Sequence, residues 1–506
     1  MKFNKIFLLF LLSGFFACTN LEESLNEDLT RSEAEAYLNS NTDVGALLEA
    51  AYNGMRLPYQ DQSRFWAAQQ HTTDETLGPT RGPDWDDNGI WRVLHDHTWN
   101  ADHSFLSSTF NELLQIVFTT TNALTFNVTP QQEAEARFIR AFVIFSIADG
   151  WNQVPYREPG ENLLNAPAVL KGTEAVDFVI SELNAISANL PDGPTNRANK
   201  DAAKALLMRA YLNKGVIADR AAPKFENGDM QQVITLADQI IASGKYSLDN
   251  NYFDNFAPNN DQVSSENIWT AENVGGSNSG NVRSRWFCTL HYNQNPSGWN
   301  GFATLGDFYN SFEASDSRRG GNYPGMTEVS GIKAGLLIGQ QFDQNGTALQ
   351  DRKGNPLAFT ADVAPVETGN NLEITGIRVI KYPIDYNGGD NADNDYVYLR
   401  YADVLLMKAE ALMRSGNTGA ALTIVNDLRA VRGATALGSL TETNLLAERG
   451  REFYWEGNRR LDMIRFGKFL EPFQGKPQQS GPERLLFPIP APALAVNPNL
   501  QQNPGY

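Results

Sequence analysis

Between residues 400 and 414 the apolar positions Tyr401, Leu405, Ala409 and Leu412 recur at helical spacing, and Ala402, Leu406 and Met413 widen the stripe. So broad an apolar face predicts a helix packed on several sides. Gly416-Asn417 stops it, a second apolar helix is expected over 419–431, and Gly433 ends that one. Two short helices joined by so tight a turn predict an antiparallel hairpin of the tetratricopeptide-like kind. The same Ala/Leu/Tyr texture occurs at 202–211 (AAKALLMRAY). Further helices are expected over 44–57, closed by Pro58, over 105–126 and 133–150, separated at Pro130, and over 173–189, 198–214 and 229–243. The pairs are too unevenly spaced for a fixed repeat. The pattern therefore predicts a mainly α protein, a curved scaffold of helix pairs rather than a regular solenoid.

From 245 to 398 the helical stripes fade into short strand-like runs (NIWTAE, ITGIRVIKYPI) among Gly, Asn and Ser loops. This long irregular region is expected to pack on the scaffold and to carry function, as long loops in compact proteins usually do. Residues 448–465 mix Phe453, Tyr454 and Trp455 with Glu448, Arg451, Glu452, Glu456, Arg459, Arg460, Asp462 and Arg465. Charges that close to large aromatics predict a partly buried ion-pair network that fixes how helices meet; a catalytic carboxylate pair is the sharper alternative. After Phe469 three X-Pro units, at 488, 490 and 492, predict an extended, non-helical tail wrapped on the body.

Three stretches, RYADVLLMKAEAL (400–412), ERGREFYWEGNRRLDMIRFG (448–467) and LFPIPAPALAVNPNLQQNPGY (486–506), resemble the SusD/RagB family in sequence and in order. The resemblance implies an outer-membrane lipoprotein that binds nutrients, usually glycans, without changing them or using a cofactor. It also implies a partner, a SusC-like TonB-dependent transporter over which the protein sits. On this reading residues 41–506 form one unit: a helical part at 41–244, the loop-rich part at 245–398, and helix pairs with a Pro-rich tail at 399–506.

The first residues fit that picture. Lys2 and Lys5 precede an apolar run from Ile6 to Phe16, and Ala17 is the small residue before Cys18. Residues 1–17 read as a secretory leader, too short to span a membrane. A small residue followed by Cys resembles the lipobox, which makes Cys18 the lipidation site and 18–40 a polar tether; plain secretion with Cys18 as a thiol is the alternative. The only other cysteine is Cys288, so no disulfide framework exists. A net charge of −18 and a pI near 4.8 exclude nucleic acid as a natural partner.

Candidate chemistry gathers in two places. Residues 64–103 hold Trp66, Trp85, Trp91, Trp99 and His71, His95, His97, His103, and GPTRGPDWDDNG (78–89) is turn chemistry throughout. Sugars offer C–H faces to an indole and hydroxyls to Asp, Asn and Arg. Trp85 is thus the candidate platform, ringed by Arg81, Asp84, Asp86 and Asn88, while Trp91 and Trp99 beside apolar neighbours read as anchors. The alternative has the loop packing on itself with Trp85 as its plug. The second cluster, RSRWFCTLHYNQNPSGWNG (283–301), offers Trp286, Tyr292 and Trp299, with core packing the alternative for Trp286 and Trp299.

No metal is expected. His95 and His97 lack a completing ligand pair, and DYNGGDNADND (385–395) lacks EF-hand spacing. Arg81, Arg92, Arg283 and Arg285 leave the ligand's charge open between an anionic algal polysaccharide and a neutral glucan. Two other functions stay open: a glycan-cleaving enzyme, which needs two carboxylates about 5–10 Å apart across a cleft, and a protein-binding repeat scaffold.

Overall fold

Capping explains where several helices begin. The computed structural model describes Tyr37 and residues 41–506; the leader, Cys18 and nearly all of the expected tether lie outside the described residues. Asp43 accepts the Ala46 N–H (3.0 Å) and opens α1 (Val44–Gln60). Pro58, expected to close α1, lies instead inside its last turn, and the Asp61 N–H still reaches the Leu57 carbonyl at 3.0 Å. α2 (Phe65–Gln70), α3 (Ile90–His95) and α4 (Ser104–Ala123) follow. Pro130 starts α5 (Pro130–Trp151) rather than separating it from α4: a proline at the first helical position gives up an N–H that has no intrahelical partner anyway, and Thr129 and Gln132 cap each other reciprocally. α5 is buried along nearly its whole length and forms the axis of the core.

α6 (Thr173–Ile186), α7 (Lys200–Ala218) and α8 (Asn227–Ala242) each pack on the helix before them. α8 then packs directly on α9 (Tyr401–Arg414), which pairs with α10 (Thr418–Val431). The helical array therefore continues across residues 243–400 as though that excursion were absent. A two-stranded ladder closes the excursion at its base: β2 (Asn267–Ala271) runs antiparallel to β6 (Tyr396–Arg400). Inside it, β3 (Ala334–Leu337) pairs with β5 (Arg378–Ile380), and β1 (Thr80–Arg81), from the early loop, runs parallel to β4 (Val366–Glu367). The fold is the mainly α scaffold with a loop-rich region packed on it that the stripes predict.

The expected ion-pair network is present and fully buried. Arg318, Arg400 and Arg432 converge on Glu452, at 2.9, 2.7 and 2.8 Å, and Glu266 accepts from Arg400 (3.1 Å) and Arg432 (2.6 Å). Glu266 and Arg318 belong to the excursion, Arg432 follows α10 and Glu452 lies on α11 (Glu442–Phe453), so the network pins the loop region to the scaffold. Burial alone would raise the Glu452 carboxyl, but the charges of Arg432, Arg400 and Arg318 outweigh it and hold it well below its usual range. Beside it Arg449 bridges Asp403 on α9 to Asp462 on α12 (Arg459–Arg465), and Arg465 joins Asp462 to Glu410.

The tail departs from expectation at two places, the first a single 3-10 turn at Pro482–Leu485. The second, Ala491–Val496, is a short helix with Pro492 in its first turn, where proline is compatible with helical geometry. The rest wraps the body as expected: the Phe487 N–H donates to Gly150 O (2.8 Å), and the Asn503 amide donates to Trp151 O (2.9 Å).

Candidate functional site

Four of the five residues at 84–88, all but Trp85, are turn formers and set the loop. Trp85, Asp87 and Asn88 all adopt positive φ (61°, 39° and 56°). That is rare for residues with a Cβ, and a tryptophan there persists only when its surroundings over-determine it. Here they do. The Trp85 indole donates to Trp299 O at 2.8 Å and lies against Gly301, where an added Cβ would come within 2.2 Å of the ring. Its ring packs on Phe302 (4.9 Å) and Trp91 (5.7 Å). Trp91 and Trp99 are buried, the anchoring places expected of them, and the Trp91 indole holds the loop by donating to Asp87 Oδ2 (2.8 Å).

Sequence positions 214 residues apart thereby meet. Trp299, 46% exposed, stands 6.2 Å from Trp85 at an interplanar angle of 56°. Tyr292 reaches the same place and donates to Asp84 Oδ2 at 3.0 Å. Burial first, then this carboxylate, pushes the Tyr292 hydroxyl up to about 12, so it remains a neutral donor. Together Asp84, Trp85, Asp87, Asn88, Tyr292 and Trp299 line an open cleft of about 680 Å³, floored by Trp91 and Phe105 and flanked by Gln62 and Ser63.

Three expected site residues are elsewhere. Trp286 is 2% exposed within the main core, on the turn Ser284–Phe287 whose other side chains are mostly buried, and has no face to offer a ligand. Arg81 is buried: its guanidinium donates to the Leu372 (2.7 Å), Thr375 (2.8 Å) and Gly301 carbonyls, so it braces the shelf from behind. Asp86 lies outside the cleft lining and pairs with Arg92 at 3.2 Å.

The other candidate arginines are also engaged. Arg283 pairs with Asp390 and lies over Phe287 (4.6 Å), and Arg285 is buried over the Trp66 ring at 4.1 Å. A cation at the rim of the cleft, missed in the sequence, is Arg352. It covers the Tyr292 ring at 3.9 Å and is neutralised by Glu373 (2.7 Å) and Asp84 (3.5 Å). Nothing in the turn DRKGNP (351–356) marks Arg352 as part of a site. Gln62 and Ser63, in the turn after α1, were likewise missed; only their place in DQS, just past Pro58, is a signal.

The histidines serve the interior. His95 meets Thr76 O and Gln474 O (both 3.2 Å), and His97 meets Thr72 O (2.7 Å) and Ser480 Oγ (2.8 Å). Burial lowers them to about 4 and about 3, so both are neutral at neutral pH. His95 is the last residue of α3. Among the described residues no group of three or more His, Cys, Asp or Glu has metal-holding geometry. In 385–395 the Asp385 carboxylate folds its own loop, accepting from the N–H groups of Asn387, Gly388 and Asp393.

Residues 234–506 match the family model described as the SusD family. The chain is 27% identical to the starch-binding protein SusD of Bacteroides thetaiotaomicron over 443 residues, 76% of this chain and 75% of that protein. Among solved structures, a SusD superfamily protein from Parabacteroides distasonis superimposes with a TM-score of 0.70 at 19% identity, covering 94% of this chain and all of that one. A laminarin-binding SusD-like protein gives 0.68 at 22% identity, covering 92% and 99%.

Proposed function

This chain belongs to the SusD family, and from that premise we propose that it captures a neutral oligo- or polysaccharide on the shelf formed by Trp85, Trp299 and Tyr292. One observation carries the reading: two indoles and a phenol from distant segments share one open cleft, each held by hydrogen bonds or packing before any ligand arrives. Sugar rings stack on such faces while Asn88, Asp84 and Asp87 take their hydroxyls. Preorganised rings also lower the entropy lost on binding. The relatives' names lend support, since one binds starch and another laminarin.

Neutrality follows from where the guanidinium groups are. Arg81, Arg92, Arg283 and Arg285 are consumed inside the protein, and Arg352 at the rim is answered by two carboxylates. Among the described residues a uronic or sulfated chain would find no free cation lining the cleft, and it would meet a chain of net charge −18.

Native gels containing laminarin, soluble starch, alginate or a sulfated galactan test this. Retardation by a neutral polymer, with no new reducing ends on incubation, is the expected result. Retardation by the anionic polymers alone overturns neutrality, and any glycan turnover overturns the binding role. The resemblance further supports a lipid anchor at Cys18 and delivery of the glycan to a SusC-like TonB-dependent transporter. Radiolabelled palmitate on wild-type but not Cys18→Ser protein, and co-purification with the transporter, are the corresponding tests. No helix among the described residues is long and apolar enough to cross a membrane.

A further inference from the structure

A second groove of about 490 Å³ opens within the loop-rich region, lined by Tyr323 and Tyr386 with Asn251, Asp254, Asn259 and Asn387. Building on the reading of the chain as a glycan binder, we propose that this groove is a second, weaker site for a neutral saccharide. Its two phenol rings are half-buried and pinned at their hydroxyls. Tyr323 donates to Asp254 Oδ1 (2.9 Å), and the Tyr386 hydroxyl meets Ser330 Oγ (2.5 Å) and Asn295 O (3.0 Å). Rings fixed in this way present a face at little entropic cost, the device used for Trp85 on the shelf. Three prolines, Pro258, Pro324 and Pro383, make the remaining wall rigid and apolar.

The polar groups select the occupant. Asn259 and Asn387 are exposed, and amides both donate to and accept from hydroxyls. Among the described residues no Lys or Arg lines the groove, while Asp254 and Asp385 do, so an anionic ligand meets no counter-charge from them. A small neutral polyol with C–H faces fits this combination. The groove also shares a segment with the shelf: Asn295, which Tyr386 holds, lies between Tyr292 and Trp299. A polymer engaging both places would be retained more strongly than by the shelf alone, because the second contact forms at high effective concentration.

Fluorine NMR of fluorotyrosine-labelled protein reads both places at once, with Tyr292, Tyr323 and Tyr386 assigned by Tyr→Phe substitution. Maltoheptaose and laminarihexaose at millimolar concentration serve as probes. With either sugar, Tyr323 and Tyr386 are expected to shift, and to go on shifting in Trp85→Ala protein, where Tyr292 no longer responds. The Tyr323→Ala/Tyr386→Ala variant is expected to lose severalfold retention in polymer gels, while its Tyr292 resonance titrates with laminarihexaose as in the wild type. Tyr323 and Tyr386 unmoved while Tyr292 saturates overturns the groove and leaves the shelf standing. Movement of Tyr323 and Tyr386 with Tyr292 silent keeps the groove and overturns the shelf. Silence of all three with both sugars overturns both.

Discussion

Residues 81–92 and 448–465 are written in nearly the same alphabet, tryptophan and its aromatic kin set among Asp, Glu and Arg. In the second stretch every one of those aromatics is buried and each arginine answers a carboxylate or a carbonyl inside the protein. In the first, Trp85 keeps a face toward an open cleft. Surroundings rather than backbone conformation make the difference: Trp455, in the turn between α11 and α12, has the same positive φ as Trp85 (61°) yet is buried. α11 and α12 satisfy their own peptide groups and can be sunk into the body, leaving side-chain charges to be matched one by one. The loop in which Trp85, Asp87 and Asn88 have positive φ borders the cleft, and the Trp85 ring, packed on Phe302 and Trp91, keeps one face on that opening. Mixed aromatic and charged composition is thus a sign of either a lock or a shelf, and what borders the ring, matched charges in the interior or an open cleft, tells which.

That contrast can be broken most forcefully at the lock. Glu452→Gln leaves Arg318, Arg400 and Arg432 facing a neutral amide in a dry interior, and the loss of a buried partner costs about 3–5 kcal/mol of stability. Thermal or urea unfolding checks it, and glycan affinity per folded molecule is expected to stay unchanged. Trp286→Ala and Trp299→Ala sharpen the same point within one loop. The first empties a core position and is expected to cost about 3–5 kcal/mol; the second leaves the unfolding midpoint nearly in place and lowers affinity. On the shelf itself Trp85→Ala is expected to weaken neutral-glycan binding at least about tenfold, roughly 1.4 kcal/mol, in isothermal titration, with the circular dichroism spectrum retained.

Smaller effects come from pH and salt. Burial alone would raise Asp403 and Glu410, but Arg209 and Arg449 bring Asp403 to about 2, and Arg465 and Arg414 bring Glu410 to about 2. Both folded values lie below the unfolded ones of about 3.9 and 4.3. Their stabilisation is therefore complete above that range and is lost as pH falls from about 4 toward about 2. Urea midpoints measured across that window should fall steeply, and a flat profile would show the network to be inert. The smallest change expected is with sodium chloride: a neutral sugar on a shelf without free cations should bind with almost no dependence on ionic strength.

The sequence made the scaffold legible because its helices carry wide apolar stripes, as at 401–412, and those need only local spacing to be seen. Prolines misled at the ends. Pro130 and Pro492 lie in first turns, where a missing donor costs little, while Pro58 lies in the last turn of α1 and gives up one i→i−4 bond there. The two aromatic clusters were visible by composition, but their meeting across 214 residues depends on how the excursion folds back, and nothing local encodes that. One distinction was available and unused. Trp299 follows Pro296-Ser297-Gly298, turn chemistry that keeps a ring at the surface, whereas Trp286 sits in the short run SRWFCTL with no turn former beside it. The engagement of Arg81 by three carbonyls could not be read from its neighbours at all.

The most direct measurement is a crystal structure of the protein with a neutral oligosaccharide bound. A sugar ring lying over the indoles of Trp85 and Trp299, with hydroxyls at Asn88 or Asp84 and no contact to Arg81 or Trp286, is the predicted result. An oligosaccharide ordered elsewhere on the molecule, with the Trp85 face bare, would contradict it.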